Sequence, residues 1–107
     1  MISIDRERLR ARFLRYVAVD TTAGESPAGD LPSSPGQLVL GRLLRDELLD
    51  LGLKDATQDR HGIVLATIPA TCPGDLPVVC FNSHVDTSPE TTGANVKPQI
   101  IRDYPKP

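Results

Sequence analysis

The sequence predicts an α/β fold, with helices packed on a mixed β-sheet, in one unfinished domain spanning residues 1–107. Three observations lead there. Apolar residues recur at helical spacing in two segments, around Leu9–Phe13 and Leu40–Leu51. Two later runs, "IVLATI" at Ile63–Ile68 and "VVCF" at Val78–Phe81, have the β-branched and apolar content of strands. The order helix, helix, hairpin, strand is that of helices laid over a sheet.

The first helix is expected from about Asp5 to Val17, where Leu9, Phe13 and Tyr16/Val17 make one apolar face. Arg6, Arg8, Arg10, Arg12 and Arg15 decorate the other faces and read as solvated surface. Asp20 to Pro35, "DTTAGESPAGDLPSSP", is a loop, because Gly, Pro, Ser and Thr leave no periodic element. Loops of such length inside a compact domain are often functional or mobile. The second helix starts clearly. Ser34 is the expected N-cap, Pro35 the first helical residue, and Gln37 completes an S-x-x-Q capping box. Its stripe is Leu40, Leu43/Leu44, Leu48 and Leu51, with Arg42 and Asp46 spaced for a weak pair and Gly52 as the C′ residue.

Leu53–Gln58 and Ile63–Ile68 are expected to pair as a hairpin around His61-Gly62. "ATCPGDLP", Ala70–Pro77, is a loop with a Pro-Gly-Asp turn. Val78–Ser83 then reads as a central strand, since its apolar positions are continuous rather than alternating. Cys80 within it takes the role of a small buried hydrophobe, and Asn82 interrupts the pattern. Beyond Ser83 the chain is irregular. Pro89, Gly93, Pro98, Pro105 and Pro107 exclude a helix, and "VKPQII" has room for one short extended piece. A central strand needs neighbours on both sides, and nothing after His84 supplies them, so a fragment of a larger domain is expected.

Composition excludes several classes. A net charge of −2 with no basic stripe argues against nucleic acid, and 4% aromatics with no Trp against base stacking. No apolar run approaches the roughly 20 residues of a membrane span. The start, "MISIDRERLRAR", is charged where a secretory leader is apolar, so a cytoplasmic location is expected. A Cys72–Cys80 disulfide is not expected in that reducing compartment.

The chemistry gathers in "FNSHVDTSPE", Phe81–Glu90. Ligands bind outside the carboxyl ends of strands in open α/β sheets, and His84 stands at such an end. In extended chain, residues two apart point the same way, so His84 and Asp86 are expected to project together. Neutral imidazole is a common zinc ligand, and a nearby carboxylate orients it. An H-x-D is also what a hydrogen-bonded strand-end histidine looks like, and Asp-Thr-Ser-Pro is what a turn looks like. His61, Cys72 and Cys80 add no paired ligand spacing, so a closed four-ligand zinc site is not expected, and His61 reads as an exposed turn residue. G-x-G-x-x-G, P-loop and G-x-S-x-G motifs are absent, and "SSPG" at Ser33 reads as a helix cap rather than a nucleophile.

The stretch "SHVDTSPETTGANVKPQI", Ser83–Ile100, resembles the peptidase T family of tripeptide aminopeptidases, within the M20 group of dinuclear zinc peptidases. "RFLRYVAVDT" (Arg12–Thr21) is similar to that family's first helix and following loop. "LPSSPGQLVLGRLLRDELLDLGL" is similar to its second helix, and "GIVLATIPATCPGDLPVVCFNSHVDTSP" to its hairpin and zinc-bearing strand. H-V-D-T alone marks only the broader metallopeptidase group, and the tail after it points to peptidase T. The resemblance implies that residues 1–107 are the N-terminal portion of an M20-type catalytic domain, without the rest of that domain or the smaller dimerisation domain. It implies that His84 is a zinc ligand and that Asp86, behind the metal, counts as catalytic. It further implies two zinc ions per site that activate water and polarise the scissile carbonyl, tripeptide substrates, and a homodimer. The bridging aspartate, the general-base glutamate and the remaining ligands have no counterpart in these 107 residues, so the isolated chain is expected to be inactive. Cys80 and Asn82 depart mildly from the family's small or apolar residues. The alternatives are a related M20 dipeptidase or amidohydrolase, and a non-catalytic module that binds through its loops.

Overall fold

The computed structural model of the chain describes residues 3–25 and 28–105. Ser26 and Pro27 of the predicted long loop, and Pro107 of the tail, lie outside the described residues.

Helix α1 spans Arg6–Tyr16. Asp5 caps it, its carboxylate accepting the Arg8 N–H at 3.0 Å. Glu7 in the first turn and Arg15 in the last complement the helix dipole. The predicted apolar face is there but uncovered, with Leu9 and Phe13 each 57% exposed. No element among the described residues lies over it. Arg12 and Arg15 correct the reading of all five arginines as solvated surface. Both pair with Glu47 of the next helix, and the Tyr16 hydroxyl donates to the same carboxylate.

Helix α2 spans Pro35–Asp50 with Ser34 at its N-cap and Pro35 opening the first turn. The capping box forms in altered shape. Ser34 makes no side-chain cap bond, and its hydroxyl is buried without a partner. Gln37 reaches one residue further back. Its Oε1 accepts the Ser33 N–H at 3.1 Å, and its Nε2 donates to the Ser33 hydroxyl at 2.9 Å. The C-terminus closes as the sequence predicts. Gly52 adopts φ +92°, its N–H donates to Leu49 O at 2.9 Å, and the Leu53 N–H donates to Leu48 O at 3.0 Å. This is the Schellman pattern, which needs a residue without a Cβ at that left-handed position. Asp46 takes neighbouring Arg45 rather than the predicted Arg42.

The hairpin forms where expected but with shorter strands, β1 Thr57–Gln58 and β2 Val64–Leu65. They run antiparallel with Thr57 opposite Leu65 and Gln58 opposite Val64. Asp59 builds the turn, its Oδ1 accepting the N–H groups of His61 and Ile63, each at 2.9 Å. Both strands pack on α2, and Gln58 Nε2 ties β1 to Leu38 O at 3.1 Å. The α/β class is thus borne out in two helices and a small antiparallel sheet. The apolar core of the described residues lies here, and it is small: Leu40 at 8% exposure and Ala56 at 7%.

The central strand predicted at Val78–Ser83 does not form. Val78 is 94% exposed and Phe81 93%, and Cys80, expected to be buried, is an exposed free thiol, as is Cys72. The physical reason is that a strand is stable only when its N–H and C=O groups find a ladder. Among the described residues no strand runs beside this one. The radius of gyration records the result, 17.0 Å against about 13 Å for a compact domain of this length. No helix among the described residues is long and apolar enough to cross a membrane.

Candidate functional site

Downstream of the unformed strand the chain returns to order by pairing with the loop after α1. Thr22 and Thr87 form an isolated parallel bridge. The Thr87 N–H donates to Thr21 O at 3.2 Å, and Thr87 O accepts the Ala23 N–H at 2.9 Å. Both backbone groups of the residue next to Asp86 are thereby fixed. Thr21 is 3% exposed, among the most buried described residues, and Gln37 at 6% lies against it, Nε2 to Thr21 O at 3.5 Å.

His84 and Asp86 come together as their spacing predicts. Nδ1 of His84 lies 3.0 Å from Oδ1 of Asp86 and 2.9 Å from its backbone carbonyl oxygen. Both neighbours are acceptors, so Nδ1 carries the proton, and in the neutral ring Nε2 holds the lone pair. The His84 side chain is 82% accessible and that of Asp86 47%. The two line a groove of about 570 Å³ with Tyr16 of α1, Glu47 and Leu48 of α2 and His61 of the hairpin.

Could these residues hold the zinc that the sequence reading implies? A carboxylate on one imidazole nitrogen leaves the other as a ligand of fixed tautomer and raised basicity, which fits one corner of a zinc site. It does not fit a whole one. Among the described residues no group of three or more His, Cys, Asp or Glu is arranged to bind a metal. His61, though in the same groove, is exposed, and its Nε2 accepts from Arg60 Nε at 3.0 Å. Ser33, read as a cap residue, is engaged in local structure, its hydroxyl accepting from Gln37 and from the Gly24 N–H at 3.2 Å.

Sequence reasoning missed the residues that brace this corner: Asp20, Thr21, Thr22, Gln37 and Gly93. Thr22 donates from its hydroxyl to Asp20 Oδ1 at 2.6 Å and from its N–H to the same oxygen at 3.0 Å. The hydroxyl bond first, and then the backbone one, hold the Asp20 carboxyl below its ordinary value. The Thr22 hydroxyl also accepts the Gly93 N–H at 2.9 Å. One signal was visible: the tripeptide V-D-T occurs twice, at Val19–Thr21 and Val85–Thr87, in the two segments that pair.

No protein-family model matches the chain. Curated relatives do. A protein named peptidase T from Vibrio parahaemolyticus is 47% identical over 98 residues, which is 92% of this chain and 24% of that protein. Proteins of the same name from Bacillus subtilis and Bacillus thuringiensis are 48% and 44% identical over 99 residues, with the same shares covered. The resemblance read from the sequence is borne out over nearly the whole chain, which spans about a quarter of the length of the relatives it matches.

Proposed function

We propose that this chain, homologous to part of peptidase T, carries one corner of the active site of a peptidase T-like zinc aminopeptidase of the M20 group, releasing the N-terminal residue from tripeptides. The observation that carries the reading is the 44–48% identity to peptidase T over 92% of the chain. The His84–Asp86 pair, formed at the motif that first suggested it, supports it.

Each residue has a role in this reading. His84 holds zinc through Nε2. Asp86 accepts a hydrogen bond from Nδ1–H, fixes the tautomer and makes the ring a stronger ligand. When bound, zinc supplies Lewis-acid chemistry at the scissile carbonyl and at water. The other ligands and the general base come from residues beyond those seen here, because catalytic zinc takes three protein ligands and His84 is one. The same reading makes the whole enzyme a cytoplasmic homodimer and this chain inactive alone.

The test uses the full-length gene product that carries this sequence. Tripeptide hydrolysis and bound zinc are expected in the unaltered protein, and His84→Ala is expected to abolish both. Asp86→Asn is expected to weaken zinc roughly 10–100-fold. Turnover of dipeptides or N-acyl amino acids with tripeptides untouched would favour the related M20 activities. Full activity in the His84→Ala protein would sink the proposal.

A further inference from the structure

We infer that Thr22 is a positioning residue for the His84–Asp86 pair, acting through a polar clasp that joins the loop after α1 to the chain on the far side of that pair. The consequence for zinc rests on the function proposed above, but the clasp itself is read from geometry alone.

The Thr22 hydroxyl bonds on both sides of the junction. A threonine hydroxyl offers one donor and two acceptor positions. Here the donor goes to Asp20 and an acceptor takes the Gly93 N–H, 71 residues away in sequence. At the backbone level Thr22 faces Thr87 in the parallel bridge. The segment that follows Asp86 is therefore tied twice to this loop, at Thr87 by the backbone of Thr21 and Ala23 on either side of Thr22, and at Gly93 by the Thr22 hydroxyl. His84 and Asp86 hang from the first of those ties, and the strand before them is unpaired.

The clasp is closely packed around Gly93. A Cβ on Gly93 would lie 2.7 Å from Thr22 Oγ1, 2.8 Å from Asp20 Oδ1 and 3.2 Å from Thr87 Oγ1, so the three oxygens fill the space a side chain there would take. On the opposite side, a Cβ on Gly36 would run into the Asp20 carbonyl. The first turn of α2 is thus seated directly on the loop that holds Thr22, and Gln37 from the same turn reaches Thr21. A rigid helix start, the loop and the H-x-D segment form one connected unit, while most of the chain from residue 66 to 83 makes no such contacts. Ordering the corner in this way removes an entropic cost that would otherwise fall on ligand binding.

The experiment uses the 107-residue chain labelled with 15N. In the unaltered chain the Thr87 and Gly93 amides should exchange slowly, and the His84 ring should show its proton on Nδ1. Thr22→Val keeps the shape and removes the hydroxyl. It should speed exchange at Gly93, whose acceptor it removes, roughly five- to tenfold, should speed exchange at Thr87 as the bridge beside it loosens, and should take the His84 ring out of its Nδ1–H signature. Thr22→Ser should restore both. The Leu44 and Leu48 amides of α2 report whether the fold persists. If they too lose protection in Thr22→Val, Gly93→Ala disturbs the clasp from the other side and should change the His84 signature in the same way. An unchanged ring signature in the variant that stays folded overturns the inference, because the clasp would then brace the loop and nothing more. Absent protection at Thr87 and Gly93 in the unaltered chain overturns it as well. Zinc content of the full-length gene product and of its His84→Ala variant tests the metal reading separately: equal zinc in the two counts against that reading and leaves the clasp standing.

Discussion

The carboxylate of Glu47 on α2 accepts the hydroxyl of Tyr16 on α1, and this contact, with Arg12 and Arg15 beside it, is how the two helices meet. The Glu47 side chain is only 14% accessible, whereas Arg15 is 55%. Polar groups left without partners cost more than exposed ion pairs contribute. Glu47→Ala should therefore destabilise by about 1–3 kcal/mol, and Arg15→Ala by less than about 1 kcal/mol. Chemical denaturation followed by α1 amide exchange measures both. Equal losses in the two variants would mean that something else joins the helices.

Gly52 gives a cleaner measurement, because a Cβ there meets nothing within 4 Å. Only the left-handed backbone at φ +92° resists substitution. Gly52→Ala should cost about 1–2 kcal/mol with α2 otherwise unchanged by circular dichroism. Gly36→Ala, which meets backbone atoms of Asp20, should cost more and should disturb Thr21 and Thr87 as well.

Acid should loosen the chain in a defined direction. The Thr22 hydroxyl and N–H lower the Asp20 carboxyl, and Thr67 lowers Asp55 in the same way. A carboxylate with a depressed folded value stabilises above the unfolded value of about 3.9, and that contribution disappears as pH falls through the lowered value. Denaturation midpoints should thus fall on acidification below about pH 4. Thr22→Val should remove the Asp20 share and bring the Asp20 titration, followed by carboxyl NMR, back toward the ordinary aspartate range. An Asp20 titration that does not move would show that another group lowers it.

Phe81 separates an unformed strand from a core strand. At 93% exposure, Phe81→Ala should change stability by no more than about 0.5 kcal/mol, where a core phenylalanine would cost about 3–5 kcal/mol. Cys72 and Cys80, both exposed, should react with a thiol reagent at the rate of the denatured chain. Protection of Cys80 alone would indicate that the segment has found a partner, a second copy included, since an unpaired apolar edge invites one.

Local rules carried much of this molecule. Asp5, Pro35 and Gly52 mark helix ends whose determinants lie within a few residues, so the two helices and the turn at His61-Gly62 were legible. The approach of His84 to Asp86 was legible for the same reason, because extended chain brings residues two apart to one side. The clasp was not. Thr22 meets Thr87 and Gly93 across more than 60 residues, and hydroxyls and glycines in loops leave no periodic trace.

By itself the sequence determined the helices, their caps, the hairpin, the histidine–carboxylate pair and the kinship to peptidase T, all of which depend on neighbours in the chain or on residue identity. The tertiary structure alone decided that Glu47 gathers Arg12, Arg15 and Tyr16, that Thr22 locks onto Gly93, and that Val78–Ser83 stays unpaired. The physical reason is the same in each case. A hydrogen bond or a ladder between distant segments exists only when both partners arrive together, and composition along one segment does not record whether the other is there.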